Sequence, residues 1–90
     1  MPQVEVTVQH EVGLHARPAA LFVKLASSFP CDITIANKTT DGQPVNAKSI
    51  LSVLTLGVNK GHTIVIEAEG EQADEAVAAL KELVESNFGE

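Results

Sequence analysis

Three segments of the chain alternate between apolar and polar residues, as strands with one buried and one solvent-facing side do. The first has a valine at every second position, the second is Asp32 to Ala36, and the third is Thr63 to Glu69. In the third segment Val65 interrupts the polar side without breaking the alternation. We therefore predict three half-buried strands. The valines of the first strand are Val4, Val6 and Val8.

Other segments have apolar residues at the spacing of amphipathic helices. The first helix is predicted from Ala16 to about Ser28, closed by the pair Phe29–Pro30, because a residue before proline avoids the α region. A short helix is predicted between Ser49 as N-cap and Gly57 as C-terminal residue. A third helix is predicted to end at Gly89. Its apolar stripe consists of Ala73, Ala76, Val77, Leu80, Val84 and Phe88.

The order of these elements is βαββαβα once a short edge strand is placed at Pro44–Asn46, after a loop from Asn37 to Gln43. Elements with one apolar side each pack economically as one sheet with helices on one face, an α+β two-layer sandwich. A right-handed crossover through the first helix leaves a gap between the first two strands. The fourth strand fills that gap, so the predicted strand order is 1-4-2-3.

Length and composition narrow the class of protein. Ninety residues suffice for one domain, expected to span residues 1–90, with one core and no large cleft. A net charge of −6 argues against nucleic-acid binding, which requires clustered Lys and Arg. The single cysteine, Cys31, permits no internal disulfide. Since no long apolar run or signal peptide is present, we expect no membrane attachment and a cytoplasmic location.

His15 directly precedes the predicted start of the first helix, and several roles are open to it. A metal site would need His10, His62 or Cys31 nearby, and the sequence lacks the usual ligand spacings. A hydrolytic triad would need a pocket that so short a chain hardly provides. The plainest alternative is a histidine that only caps a helix. We therefore expect no metal and no cofactor.

The neighbours of His15 favour anion chemistry. Unpaired N–H groups and the dipole at a helix N-terminus attract anions, and Arg17 adds a fork of donors suited to phosphate oxygens. Gly13 and Ala16 are small, so the active site of a partner could approach closely. This arrangement suits a phosphoryl group carried on an imidazole nitrogen.

The segment Gly13 to Ala20 resembles the active-site motif of HPr, the phosphocarrier family of the bacterial phosphoenolpyruvate-dependent sugar phosphotransferase system. The resemblance covers nearly the whole chain at matching spacing, through residues 22–24, 46–51, 56–57 and 66–70. It implies an open-faced β-sandwich, in which a four-stranded antiparallel sheet is covered on one side by three helices. The fold expected from the pattern and the fold implied by the resemblance therefore agree.

The resemblance also implies a function. Phosphorylated enzyme I, charged by phosphoenolpyruvate, would phosphorylate His15, at Nδ1 by family analogy, and His15 would pass the group to the A domains of enzymes II. Arg17 would neutralise the phosphate. Such a protein is a phosphoryl-group carrier rather than a stand-alone enzyme. Two alternatives are a nitrogen-related regulatory paralogue with other partners and an interaction module of the same fold without phosphate chemistry.

Ser49 has two interpretations. It can simply cap the short helix, which contributes about 1 kcal/mol. By resemblance it can also be the serine that an HPr kinase/phosphorylase phosphorylates with ATP, which would place about two negative charges beside a docking face. Phosphorylation would then slow transfer at His15.

Partner binding is predicted for exposed residues of the first and second helices. The apolar candidates are Leu14, Ala16, Ala20, Ile50, Leu51 and Leu54, and the basic candidates are Lys24 and Lys48. We assign no role to His10 or His62. We expect a monomer that meets its partners transiently. The Asn37–Gln43 loop is about three residues longer than the family's usual turn between strands two and three.

Overall fold

The computed structural model describes residues 2–9 and 16–89. The strands are β1 (Gln3–Thr7), β2 (Asp32–Asn37), β3 (Val45–Asn46) and β4 (Thr63–Glu69). The helices are α1 (Ala16–Ser27), α2 (Ile50–Leu54) and α3 (Ala73–Glu85), and a 3₁₀ turn follows at Asn87–Gly89. Within the described residues the element order is therefore the predicted one.

The four strands form one antiparallel sheet in the order β1-β4-β2-β3. β4 pairs along its length with β1 on one side and with β2 on the other, whereas β3 contributes only two residue pairs at the edge. This confirms the predicted order 1-4-2-3 and the α+β, open-faced sandwich. The reason is topological: α1 crosses over the position between β1 and β2, which leaves room for β4.

The core lies between one face of the sheet and the helices. Ile64, Ile66 and Ala68 of β4 are buried, and their neighbours on the strand are half-buried or exposed, as the alternation predicts. All six residues of the predicted α3 stripe are buried. α1 contributes four buried residues, Pro18, Ala19, Phe22 and Ala26. Apart from Phe22, Phe88 and Cys31, the buried hydrophobic residues of the core are aliphatic.

Two helices end earlier than predicted. α2 ends at Leu54 with Thr55 as its C-cap, because Leu56 and Gly57 donate to carbonyls three residues back and Gly57 turns to φ +61°. α3 ends at Glu85 instead of continuing to Gly89, because Asn87 and Phe88 have φ values of 55° and 58°. A left-handed residue costs about 1–2 kcal/mol, and burying a phenyl ring contributes about 1.5–3 kcal/mol. The burial of Phe88 therefore offsets its backbone strain.

The loop before β3 also differs from the prediction. Asn37 belongs to β2, where it pairs with Ile64, and β3 begins at Val45 instead of Pro44. The connection consequently runs from Lys38 to Pro44, and Asp41 in it has a positive φ of 58°. Asparagine and aspartate tolerate this conformation better than most residues, which suits Asp41 to this turn.

Candidate functional site

α1 begins at Ala16, the residue that follows His15 in sequence. His15 and Leu14 themselves lie outside the described residues. Arg17 is the second residue of α1 and its side chain is exposed, while Pro18 and Ala19 beside it are buried. The first turn of α1 contains no carboxylate. The positive end of the helix and the guanidinium of Arg17 therefore both favour an anion at this end.

Along α1, the predicted site residues Arg17, Ala20 and Lys24 are all exposed and follow one another at helical spacing. Side chains three and four residues apart share one face of a helix. The opposite face holds Phe22 and Ala26 against the core. α1 thus presents a solvent-facing row that begins beside His15 in sequence.

α2 packs against α1 and exposes most of its apolar side chains. Leu51 is 73% exposed, and Ile50 and Leu54 are 37% and 39% exposed, whereas Val53 is buried. These three are the large apolar residues that the described part of the chain leaves exposed. We call the predicted partner-binding residues that these two helices expose, together with Arg17, the α1–α2 surface. It comprises Ala16, Arg17, Ala20, Lys24, Ile50, Leu51 and Leu54.

Acidic and basic residues are distributed differently along the chain. Residues 12–31 and 42–66, which include α1 and α2, contain four of the six Lys and Arg residues and none of the twelve Asp and Glu residues. The carboxylates are therefore confined to the other segments, whereas basic residues occur in both. In a protein with net charge −6, the seven described residues of the α1–α2 surface therefore include two basic side chains and no carboxylate.

Ser49 caps α2 as predicted. Its backbone is extended (φ −111°, ψ 115°), and its hydroxyl oxygen accepts from the Ser52 N–H at 3.4 Å. This distance is at the long end for a hydrogen bond, so the cap is weaker than average. Ser49 is half-buried, at the boundary between α2 and the segment that leads to it.

Lys48 differs from the other basic residues of the predicted site. Its side chain is half-buried, and its ammonium group donates to the Phe29 carbonyl oxygen at 2.7 Å. Phe29 follows the end of α1. The ammonium group is therefore engaged inside the molecule, in contrast to the exposed side chain of Lys24.

A polar cluster around Asn37 was not predicted. Asn37 is fully buried, and its Nδ2 lies 3.0 Å from Nδ1 of His62 and 3.4 Å from the Leu56 carbonyl oxygen, to which it donates. Nδ1 of His62 also accepts from the Asn59 N–H at 3.2 Å. A nitrogen that accepts from an N–H carries no proton, so the neutral ring holds its proton on Nε2. The cluster joins β2, the residue before β4 and the loop after α2.

The sequence contains a signal for this cluster. Ile33 and Ile35 face the core, and the same alternation places Asn37 on the buried side. A polar residue at an inward position needs hydrogen-bond partners, and His62 supplies one of them. His62 therefore has a structural role that sequence reasoning did not assign.

Asn37→Ala is expected to lower the free energy of unfolding by about 2 kcal/mol, since it leaves buried partners unsatisfied and removes packing. Chemical denaturation measures this change. The matched control is Asn59→Ala, which keeps the Asn59 N–H donor and is expected to cost much less. Equal costs for both substitutions would show that the Asn37 side chain contributes nothing specific.

Across residues 2–9 and 16–89, no group of three or more His, Cys, Asp or Glu side chains could hold a metal ion. In the same segments, no helix is long and apolar enough to cross a membrane.

Comparison with known proteins identifies the family of the chain. The family model for the PTS HPr component phosphorylation site matches residues 2–86. The chain belongs to the HPr phosphocarrier family. This confirms the resemblance seen in the sequence and the assignment to the phosphotransferase system.

Individual HPr proteins support this family assignment. The chain is 41% identical to the phosphocarrier protein HPr of Pseudomonas aeruginosa, over all of this chain and 98% of that protein. A crystal structure of HPr from Thermoanaerobacter tengcongensis is 46% identical and superposes with a TM-score of 0.93, over 100% of this chain and 98% of that one. The multiphosphoryl transfer protein of Salmonella typhimurium is 38% identical to this chain. The match covers 96% of this chain and only 23% of that longer protein. An HPr-like unit therefore occurs both alone and within a larger phosphoryl-transfer protein.

Proposed function

We propose that this HPr-family chain carries a phosphoryl group on His15. It accepts the group from phosphorylated enzyme I and passes it to the A domains of enzymes II during sugar uptake. The observation that carries the proposal is the start of α1 at Ala16, next to His15 in sequence, in a chain that matches the family model of a phosphorylation site. The carrier forms and breaks one P–N bond in each cycle and is regenerated unchanged.

The physical chemistry of this helix end supports both steps. A lone pair of the imidazole attacks phosphorus as the bond to the donor breaks, and the first-turn N–H groups of α1 stabilise the phosphate oxygens. Arg17 balances their charge. In the second step a nucleophile of the acceptor attacks phosphorus, and His15 leaves as imidazole. Moderate stabilisation is useful here, because a phosphate held too tightly would not be released.

The α1–α2 surface fits the docking of both donor and acceptor. Its apolar residues Ile50, Leu51 and Leu54 can form the dry centre of a small interface, and Arg17 and Lys24 can meet acidic side chains at its rim. Since the surface carries no carboxylate, acidic partners meet no like-charge repulsion there. Leu14, which lies outside the described residues, is proposed as a further apolar contact from its place in the sequence.

The experiment that tests the carrier is incubation with enzyme I and labelled phosphoenolpyruvate. We expect rapid labelling of the chain, loss of the label in acid and retention in base, because a P–N bond hydrolyses in acid. Addition of an enzyme II A domain is expected to discharge the label. A wild-type chain that enzyme I does not label would refute the proposal.

We also propose that Ser49 is phosphorylated by an HPr kinase/phosphorylase. Its position as the N-cap of α2 favours a phosphate locally, since the helix dipole attracts negative charge. The same phosphate adds about two negative charges next to Ile50 and Leu51 on a surface that otherwise has none. Docking of acidic partners would weaken, and transfer to His15 would slow.

With ATP and a purified HPr kinase/phosphorylase, Ser49→Ala is expected to eliminate an acid-stable label that the wild type acquires. Ser52→Ala is the matched control, because Ser52 lies one turn along α2 and is expected to leave labelling intact. Equal labelling of Ser49→Ala and the wild type would rule out Ser49 as the site. Ser49→Ala is expected to cost only about 0.5 kcal/mol of stability, given its long capping bond.

The remaining expectations are part of the same proposal. The chain acts as one domain, as a monomer and in the cytoplasm, where it would reach both enzyme I and enzymes II. Sedimentation at several protein concentrations tests the monomer, and a mass that doubles within the range used for phosphotransfer would contradict it.

A further inference from the structure

The half-buried side chain of Lys48 makes a hydrogen bond within the protein. It donates to the Phe29 carbonyl oxygen at 2.7 Å, the short distance typical of a charge-assisted hydrogen bond. Lysine side chains usually keep their charge in water, whereas this residue is only half-exposed. A specific contact therefore outweighs the hydration that Lys48 gives up.

The end of α1 explains the contact. α1 ends at Ser27, and the next two N–H groups, of Ser28 and Phe29, donate back to the carbonyls of Leu25 and Ala26. The following residue, Pro30, has no N–H to offer. A helix C-terminus carries partial negative charge and favours a cation. The ammonium group of Lys48 supplies both a donor and a positive charge at this end.

The backbone around Lys48 is held on the other side by the sheet. The Lys48 N–H donates to Oδ1 of Asn46 at 2.9 Å, and the N–H of the fully buried Ala47 donates to the Ile33 carbonyl in β2 at 3.0 Å. The next residue, Ser49, is the N-cap of α2. The segment that starts α2 is thus fastened to β2 through its backbone and to α1 through one side chain.

We propose that Lys48 is a positioning residue: its ammonium group holds the start of α2 to the C-terminal end of α1 and thereby sets the geometry of the α1–α2 surface. In this role Lys48 acts through the position of α2 rather than by contact with a partner. The contact lies about 20 Å along α1 from Ala16, at 1.5 Å per residue, so the chemistry at His15 should be unaffected. Of the two tests of this inference, only the kinetic one rests on the proposed function.

The kinetic test compares Lys48→Met, which keeps the stem and removes the charge, with Lys24→Met on the exposed row of α1. For phosphoryl transfer from enzyme I, Lys48→Met is expected to raise KM roughly three- to tenfold, with kcat unchanged and the salt dependence of kcat/KM as in the wild type. Lys48→Arg should restore KM, since guanidinium can donate to the same carbonyl. Lys24→Met should instead flatten the salt dependence, because its charge is exposed to the partner. A flattened salt dependence in Lys48→Met, or an unchanged KM, would overturn the proposal.

A second test needs no partner enzyme. The Val53 N–H donates to the Ser49 carbonyl at 3.0 Å, so its hydrogen exchange reports on the anchoring of α2. In Lys48→Met this amide is expected to exchange roughly tenfold faster, with no change in Lys24→Met. An unchanged exchange rate would overturn the proposal. This result stands even if enzyme I fails to label the wild type, so failure of the carrier function and failure of the positioning role are distinguishable.

Discussion

His15→Ala is expected to abolish acid-labile labelling by enzyme I and phosphoenolpyruvate. A methyl group has no lone pair to attack phosphorus, and the loss of a nucleophile lowers turnover by at least about a thousandfold. The rate of label incorporation, measured with the label quenched in base, checks this prediction. Circular dichroism and thermal unfolding of the variant establish that the fold is retained.

The matched control is His62→Ala. His62 accepts from the Asn59 N–H and lies in the Asn37 cluster, so its loss is expected to lower stability without removing the label. Labelling that disappears in His62→Ala and persists in His15→Ala would exchange their roles and refute the proposed site. A chain labelled equally well in both variants would carry its phosphate on another residue.

Leu51→Glu is expected to reduce kcat/KM for transfer from enzyme I by about 100-fold, mainly through KM. An apolar anchor in a small interface contributes about 2 kcal/mol or more, and an added carboxylate repels acidic partners. Because Leu51 is 73% exposed, the substitution should leave the free energy of unfolding nearly unchanged. Steady-state phosphotransfer with varied carrier concentration measures the effect.

Two further variants separate the loss of the apolar contact from the repulsion by the added carboxylate. Leu51→Lys also removes the apolar contact but keeps the positive character of the surface, so its loss should be smaller. Ala78→Glu places the same carboxylate on an exposed position of α3 and should have little effect. Similar losses in Leu51→Glu and Ala78→Glu would mean that total charge matters and that the α1–α2 surface is not the docking site.

The periodicity of the sequence was sufficient to predict the sheet and its strand order. Alternation with a period of two and apolar stripes with a period of 3.6 are local consequences of burial on one side, and the crossover rule then leaves few topologies. Ends of elements were predicted less well. Gly57 and Gly89 are strong stop signals, but α2 and α3 already end at Leu54 and Glu85. The turn before Gly57 tightens to hydrogen bonds three residues apart, and Asn87 and Phe88 have positive φ values before Gly89 is reached.

Some features of the candidate site could likewise be predicted from the sequence, and others could not. The motif around His15 and the cap at Ser49 are local, since a helix start depends on a few neighbouring residues. The exposure of Leu51 could not be predicted from local sequence, because the pattern of α2 does not show which of its apolar residues are buried. In the folded protein α2 packs against α1, Val53 is buried, and its apolar neighbours are exposed to solvent.

By itself the sequence determined the family, the fold and the residue expected to carry the phosphoryl group, because all three depend on short-range pattern and on a contiguous motif. The tertiary structure alone decided which partners Lys48 and Asn37 contact. Lys48 reaches a carbonyl 19 residues away, and Asn37 lies against a histidine 25 residues away. Such pairs form only when distant segments pack together, and their energies depend on burial and geometry that no local pattern encodes.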